Sequence, residues 1–237
     1  MKNNIKVHSS KKPAEDAGDY LSGLFATAGD KPVLLLLAGG SSFDVLNFID
    51  PNSLGSNITV TVTDEIYTDD VGDSNFGTLQ ILPFYDALIN VDALCIDTQI
   101  LASESFEENT ERFNRNLVEW KKDFPRGVVI SLIGVGDDGS VAGIIPGILS
   151  DKDFDEKFNG KEMAAGMDCG DKNKHQFRVS TTLNFLRDSV DQALVYMVGE
   201  NKNNSLKNIS AEAGDIHVTP SRIFNEMKSV IVFTDIE

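Results

Sequence analysis

The chain has 237 residues, of which 41% are hydrophobic and 24% are charged, and its formal net charge is −16. This balance is typical of a folded globular protein and excludes a long disordered chain. A strongly acidic chain lacks the basic faces that bind phosphate backbones, so we expect no nucleic-acid partner. No stretch reaches the roughly 18 uninterrupted apolar residues of a membrane helix, so we expect no membrane partner either.

The first residues of the chain, 1–6, lack the apolar stretch of a signal peptide. The two cysteines, Cys95 and Cys169, match no metal-binding or redox spacing. We therefore expect a cytoplasmic protein. The acidity repels small anions at long range, so an anionic ligand would need locally placed cations or helix N-termini.

Five short apolar runs are typical of buried strands. They cover residues 33–37, 58–62, 128–133, 193–198 and 230–233. Because each run is almost continuously hydrophobic, together they favour a parallel sheet that is covered on both faces.

Helical patterns separate these runs. The clearest spans residues 104–122, where Phe113, Leu117 and Trp120 share one face with Phe106, and Lys121-Lys122 end the helix. Further helices are predicted over residues 14–28, 43–49, 75–88 and 183–190.

Two polar stretches have weaker patterns. Residues 151–174 are expected to form a surface excursion with one short helix, and residues 203–220 a helix followed by a loop. The alternation of strands and helices predicts a single α/β domain over residues 1–237, with a doubly wound, mainly parallel sheet flanked by helices.

Polar and glycine-containing clusters follow four of the predicted strands. They are Gly39-Gly40-Ser41-Ser42, Thr63-Asp64-Glu65, residues 134–140 and Gly199-Glu200-Asn201-Lys202. In open parallel sheets, ligands bind outside the carboxyl ends of the strands. The clusters therefore predict one polar pocket for a small ligand with an anionic part.

Each cluster also has a simpler interpretation. Gly39-Gly40-Ser41-Ser42 is either an anion cradle at a helix start or an ordinary helix cap in a tight turn. Asp64 or Glu65 is either a base or hydroxyl ligand in the pocket, or part of a solvated acidic loop. Arg178 and Lys202 are suited to grip phosphate, although either alone is more often a surface charge.

Residues 134–140 form a glycine-rich loop, Gly-Val-Gly-Asp-Asp-Gly-Ser. The loop resembles the signature Gly-x-Gly-x-Asp-Gly-His of the 6-phosphogluconolactonases and their glucosamine-6-phosphate deaminase relatives. Four further segments resemble that family in the same order: Ala38 to Ser42 its Ser-Gly-Gly-Ser-Thr loop, Thr63-Asp64-Glu65 with Ser74-Asn75 its Asp-Glu-Arg and Ser-Asn segments, Arg178-Val179-Ser180 its Arg-Ile-Thr, and Gly199 to Lys202 its Gly-x-x-Lys. Ile145-Pro146-Gly147 and Ser74-Asn75 favour the lactonase branch.

The resemblance implies a hydrolase of the pentose phosphate pathway that opens 6-phosphogluconolactone to 6-phosphogluconate without metal or organic cofactor. Its partner would be a small-molecule sugar phosphate, and the protein would be a monomer or homodimer. The candidate catalytic residues are then Asp64, Glu65, Asp138 and Ser140. The candidate substrate- and phosphate-binding residues are Gly39, Gly40, Ser41, Ser42, Asn75, Gly136, Gly139, Arg178 and Lys202.

Two departures from the family pattern bear on catalysis. Ser140 stands where the family has its catalytic histidine, and Ile66 stands where it has an arginine. A serine hydroxyl is a poor base near neutral pH unless another base activates it. Loss of a positioned base typically costs about 10²- to 10⁴-fold in rate. Asp64 or Glu65 is the expected substitute.

The chain has three histidines, and we expect them at the surface: His8, His175 and His217. Two milder departures are Ser42 in place of threonine and Gly143 in place of serine.

Two alternatives to a working lactonase stay open. One is a sugar-phosphate-binding protein that has lost the base, and the other is an isomerase or deaminase of the glucosamine-6-phosphate type with Asp64 as its base.

Overall fold

The computed structural model describes residues 4–211 and 213–236. Within them, the strands are β1 Ile5–Ser9, β2 Val33–Leu37, β3 Ile58–Val62, β4 Asp64–Ile66, β5 Leu94–Cys95, β6 Val128–Gly134, β7 Ala164–Asp168, β8 Phe177–Thr181, β9 Gln192–Met197 and β10 Val230–Thr234. The α-helices are α1 Pro13–Ala28, α2 Asn75–Gln80, α3 Pro83–Asn90, α4 Phe106–Asp123, α5 Asp151–Phe158, α6 Leu183–Ser189 and α7 Asn203–Ser210.

The strands form two sheets. Seven are parallel in the order β1-β10-β9-β6-β2-β3-β5, and three are antiparallel in the order β4-β8-β7. The chain passes from the large sheet into the small one at Thr63, between β3 and β4. The predicted single-domain, mainly parallel α/β architecture is confirmed.

Strand β2 explains why the predicted strands are hydrophobic throughout. Its residues are fully buried, and successive side chains point to opposite faces of the sheet. Leu34 and Leu36 join the core cluster that contains Trp120 of α4, whereas Leu35 joins the cluster that contains Phe25 of α1. Each face of the large sheet is therefore covered by its own apolar layer.

Helix α4 confirms the clearest helical prediction. Ser105 caps its first turn by accepting from the Glu108 backbone N–H, while the Glu108 carboxylate accepts from Ser105 N–H. Phe113, Leu117 and Trp120 are buried. The helix thus covers one face of the sheet through the predicted apolar stripe.

The prediction of one helix over residues 75–88 is wrong in one respect. The segment forms two helices, α2 and α3, which are separated just before Pro83. Leu82 has extended backbone angles, φ −87° and ψ 145°. A proline disfavours helical angles at the residue before it, so α3 starts afresh at Pro83. The helix predicted over 43–49 is present as a 3₁₀ helix that covers Gly40–Phe48.

The stretch 151–174 is more than the expected surface excursion. It contains the predicted short helix, α5, but also strand β7, in which Ala164 and Met167 are buried. Strands β1, β4, β5 and β8 were not predicted from hydrophobicity either. They are short, or they carry charged and small residues, so their apolar pattern is weak. The predicted helix and loop over 203–220 are present, with Glu212 outside the described residues.

Candidate functional site

A polar cleft of about 380 Å³ opens at the carboxyl ends of β2 and β6, beside the small sheet. Most of the residues singled out in the sequence line it. These are Gly39, Gly40, Ser41, Asp64, Asn75, Gly136, Asp138, Ser140 and Arg178. Glu65, Ser42, Gly139 and Lys202 do not line it. Several loops that are distant in sequence therefore meet around one cavity.

The glycine-rich loop at the exit of β6 is closed by its own hydrogen bonds. Gly136 N–H donates to the Ser140 carbonyl at 2.9 Å, and Gly139 N–H donates to the Gly136 carbonyl at 3.0 Å. The Asp138 carboxylate accepts from Ser140 N–H at 2.9 Å. Gly139 has φ +84°, which favours glycine. The loop thus holds Asp138 and Ser140 at the cleft wall.

A second tight turn follows at once. The Val141 and Ile144 backbones exchange two hydrogen bonds, and the two residues between them, Ala142 and Gly143, have φ of 47° and 74°. A Cβ added at Gly143 would lie 2.7 Å from the Asp64 Cβ. The turn can pack this closely against β4 only because residue 143 has no side chain.

Asp64 and Arg178 form a largely buried ion pair in the cleft wall. The Asp64 Oδ2 atom lies 2.6 Å from an Arg178 Nη atom, and the side chains are 6% and 15% exposed. Asp64 also accepts from the Thr63 hydroxyl at 3.1 Å and from the Asn75 amide at 3.3 Å. Its carboxylate is therefore hydrogen-bonded by three neighbouring side chains.

Arg178 gains its position from β8, whose residues pair antiparallel with β4. Burial lowers the pKa of Arg178, but the Asp64 carboxylate, together with Cys169 and Glu65, raises it more, and the net pKa lies above the ordinary value. The Nε atom of Arg178 is buried without a hydrogen-bond partner in the described part of the chain. The guanidinium stays charged and has donor capacity left over.

Glu65 lies behind the cleft and anchors helix α2. Its carboxylate accepts from the backbone N–H groups of Asn75 at 2.7 Å and Phe76 at 3.0 Å, and from the Thr98 hydroxyl at 2.8 Å. Burial raises its pKa, although these hydrogen bonds act in the opposite direction. Glu65 fixes the start of α2, and thereby the Asn75 amide that contacts Asp64.

The glycine–serine loop, residues 38–42, lines the cleft through Ala38, Gly39, Gly40 and Ser41. Gly40 has φ +72°, and Ser42 turns inward to donate its hydroxyl to the Ala38 carbonyl at 2.6 Å. Gly39 touches the Asn75 amide so closely that a Cβ there would lie 2.0 Å from its Oδ1. Ser41 is exposed toward the cleft, so it can contact a ligand while Ser42 holds the loop.

Residues 9–232 match the family described as glucosamine-6-phosphate isomerases/6-phosphogluconolactonase. The chain belongs to this family. The backbone is similar to a 6-phosphogluconolactonase from Plasmodium vivax, with TM-score 0.77, 18% identity, and coverage of 99% of this chain and 91% of that one. It is also similar to 6-phosphogluconolactonases from Trypanosoma brucei (TM-score 0.74, 18% identity, 99% and 96% coverage) and Shewanella baltica OS155 (TM-score 0.73, 16% identity, 99% and 98% coverage). No curated protein sequence gives a significant match.

Within the described residues, no histidine lines the cleft. His8 is half exposed on β1 and pairs with Asp16. His175 is mostly covered, with its Nε2 3.8 Å from Asp73, and His217 lies between Asp155 and Asp215. The cleft of this family member therefore has carboxylates and one arginine as its charged groups.

The remaining predicted residues lie just outside the cleft. Lys202 pairs with Asp137 at 2.5 Å. Gly139 lies within the glycine-rich loop, and its carbonyl accepts from Ser221 N–H at 2.9 Å. Ile66, in register with Arg178 on β8, is buried. None of these three residues is part of the cavity lining.

Two cleft residues were not anticipated from the sequence. Asn173, in the loop between β7 and β8, lines the cavity, and its carboxamide accepts from His175 N–H at 3.0 Å. Its polar stretch offered no distinguishing pattern. Gly143 was noted only as a departure from the family, and its close approach to Asp64 needs three-dimensional coordinates to be seen.

Two classes of site are not found in the described part of the chain. Among residues 4–211 and 213–236, no group of three or more His, Cys, Asp or Glu side chains is placed to hold a metal ion. None of the helices described is long and apolar enough to span a bilayer.

Proposed function

We propose that this chain is one sugar-phosphate-binding domain that opens 6-phosphogluconolactone to 6-phosphogluconate, at a low rate. The observation that carries the proposal is the charged Arg178 guanidinium in the wall of a cleft formed by two glycine-containing loops. The many structural neighbours named 6-phosphogluconolactonase, which cover nearly the whole chain, support the same assignment.

The proposed reaction needs only water as co-reactant. Water adds to the lactone carbonyl carbon, an oxyanion forms, and the ring C–O bond breaks as the ring oxygen takes up a proton. Arg178 supplies a fixed positive charge near the developing oxyanion, where preorganised donors are most effective. The glycine–serine loop also lines the cleft, and its Gly40 and Ser41 would contact the substrate.

Asp138 is the best-placed base. It lines the cleft, and in the described part of the chain the Ser140 N–H is the one group that donates a hydrogen bond to it. Asp64 is less suited, because Arg178, Thr63 and Asn75 all engage it. Carboxylates as a class are weaker bases than imidazole, so a low turnover is expected where Ser140 replaces the histidine.

A Ser140→His variant tests the assignment. If the rest of the site is intact, the variant hydrolyses fresh 6-phosphogluconolactone about 10²- to 10⁴-fold faster than the parent chain. The rate is followed by proton release against the spontaneous hydrolysis of the lactone. Ser56→His, at an exposed turn outside the cleft, is the matched control and should give no such gain. No acceleration by parent or variant at micromolar protein would contradict the lactonase proposal.

A non-catalytic sugar-phosphate binder is the second candidate, favoured by the lack of a cleft histidine in the described residues. It predicts that 6-phosphogluconate raises the thermal midpoint while the lactone is hydrolysed only at its spontaneous rate. A deaminase with Asp64 as the base fits less well, because Arg178 holds that carboxylate. Release of ammonia from glucosamine-6-phosphate would reverse that ranking.

A further inference from the structure

The ammonium group of Lys202 is engaged by a carboxylate of the chain itself. Lys202 Nζ lies 2.5 Å from Asp137 Oδ1, and the Asn201 amide contacts both oxygens of the same carboxylate at 2.9 and 3.0 Å. Asp137 sits between Gly136 and Asp138, which both line the cleft. The pair is therefore at the rim of the proposed ligand site.

The backbone on both sides holds this contact in place. Lys202 ends the short 3₁₀ turn Glu200–Lys202, which follows Gly199 with φ +96°. The Ser205 hydroxyl on α7 donates to the Gly136 carbonyl at 2.9 Å and ties the turn to the glycine-rich loop. The Lys202 side chain is only 18% exposed, whereas Asp137 is 59% exposed. Asp137 can swing into solvent, but Lys202 cannot readily leave.

We propose that Asp137 is a specificity-determining residue. Its carboxylate pairs with the Lys202 ammonium group and takes the place that a ligand's phosphoryl group would otherwise have. This inference rests on the proposed function, since it takes the ligand to be a sugar phosphate. A phosphoryl group can use Lys202 only after displacing Asp137, and the displaced carboxylate then repels it. Phosphorylated ligands consequently bind less tightly than the cleft geometry allows.

The charges around the cleft agree with this idea. Arg178, the cation in the cleft wall, is already paired with Asp64, and Lys202 with Asp137. The chain as a whole carries −16. With both of these cations neutralised internally, a phosphate dianion meets no unpaired positive charge from them. Removing one of the opposing carboxylates should therefore raise the affinity of the site for a phosphate group.

The test is an Asp137→Asn variant, which keeps the side-chain shape and removes the charge. Binding of inorganic phosphate, 6-phosphogluconate and gluconate is measured by calorimetry on the full chain. We expect inorganic phosphate and 6-phosphogluconate to bind the variant about threefold to tenfold more tightly than the parent chain. A gain of this size is typical of one exposed ion pair or one neighbouring like charge. Gluconate binding should be unchanged.

Two controls isolate the ion pair. Asp30→Asn removes the same charge at an exposed position just before β2, at the opposite edge of the sheet, and should give no gain. In a Lys202→Gln background, Asp137→Asn should also give little gain, because the cation that it frees is absent. Asp137→Ser should reproduce the effect, and thermal unfolding confirms that each variant folds.

The outcomes separate this inference from the lactonase proposal. Tighter phosphate binding by Asp137→Asn without 6-phosphogluconate binding would support the role of Asp137 and contradict the proposed substrate. Unchanged or weaker phosphate affinity in both Asp137 variants would overturn the inference, even if the lactone is hydrolysed. An equal gain for gluconate, for Asp30→Asn or in the Lys202→Gln background would overturn it too. Phosphate binding too weak to measure in all variants would do the same.

Discussion

Asp64 and Arg178 lie 114 residues apart in the chain, yet their side chains meet at 2.6 Å between two antiparallel strands of the small sheet. The pair links the end of the large sheet to the cleft wall, because β4 follows β3 directly. One ion pair therefore joins two strands of the small sheet and also sets the electrostatics of the proposed site.

Removing one partner of this pair should destabilise the fold. Asp64→Asn leaves the Arg178 charge largely buried without its counter-ion, which costs on the order of 3 kcal/mol in the free energy of unfolding. Urea denaturation measures the loss. Asp64→Asn/Arg178→Met, which removes both charges, should lose less than the sum of the single variants. Additive losses would show that the two side chains do not stabilise each other.

Gly143 gives a second prediction, because its backbone and its surroundings both exclude a side chain. Gly143→Ala places a Cβ 2.7 Å from the Asp64 Cβ and 2.8 Å from the Ser180 hydroxyl, at φ +74°. The left-handed backbone alone costs an alanine about 1–2 kcal/mol. We expect a larger loss of stability, together with a weaker Asp64–Arg178 pair.

Gly147 provides the matched control for that variant. It has φ +69°, but a Cβ there would meet nothing within 4 Å. Gly147→Ala therefore measures the backbone cost alone, and the excess loss in Gly143→Ala measures the steric conflict with Asp64. Equal denaturation midpoints for the two variants would mean that the 141–144 turn relaxes away from β4.

The sequence could predict where the cleft lies because of a general property of parallel sheets. Gly39, Gly136 and Asp64 each follow an apolar strand, and the carboxyl ends of parallel strands share one edge. The shared edge places most of the candidate residues around one cavity, whichever strands are neighbours in the sheet.

What the sequence could not reveal depends on strands with little apolar signal. Strand β4 is Asp64–Ile66, only three residues long, so its pairing with β8 is invisible to hydrophobic periodicity. That pairing decides that Asp64 faces the cleft while Glu65 points to helix α2. The contact of Lys202 with Asp137 was equally hidden, because it joins two exposed loops.

His217 predicts a pH dependence of stability. Its imidazole lies 2.7 Å from Asp215 and 3.1 Å from Asp155, with the Phe154 ring edge-on at a centroid distance of 4.9 Å. Burial lowers its pKa, but the two carboxylates raise it more, so the pKa lies above the model-peptide value of 6.5. The imidazolium form is therefore favoured by folding.

The sign of the effect follows from that shift. The stabilisation by His217 is fully present below pH 6.5 and is lost as the pH rises through the higher folded-state pKa. Denaturant unfolding from pH 6 to 9 should show this loss, and His217→Gln should remove it. His8→Gln, at the half-exposed His8–Asp16 pair, is the control and should leave this loss in place. Parallel pH profiles for the parent chain and His217→Gln would contradict the prediction.

Glu104 gives an acid-side prediction with the opposite sign. The Arg112 guanidinium, 2.6 Å away, lowers the pKa of Glu104 from 4.5 to about 2, and hydrogen bonds from Leu101 N–H and the Asn109 amide act in the same direction. Arg112 also donates to the carbonyls of Asp97 and Gln99, so the pair secures the loop before α4. Neutralising the carboxylate should loosen that loop.

Because the folded-state pKa of Glu104 is depressed, its contribution to stability is present above pH 4.5 and is lost as the pH falls toward 2. Glu104→Gln should therefore be clearly less stable than the parent chain at pH 7, and the difference should shrink below pH 4.5. Glu119→Gln, an exposed substitution on α4, should match the parent at both ends of the range. A difference between Glu104→Gln and the parent that stays constant down to pH 2.5 would mean that shape, rather than charge, stabilises this loop.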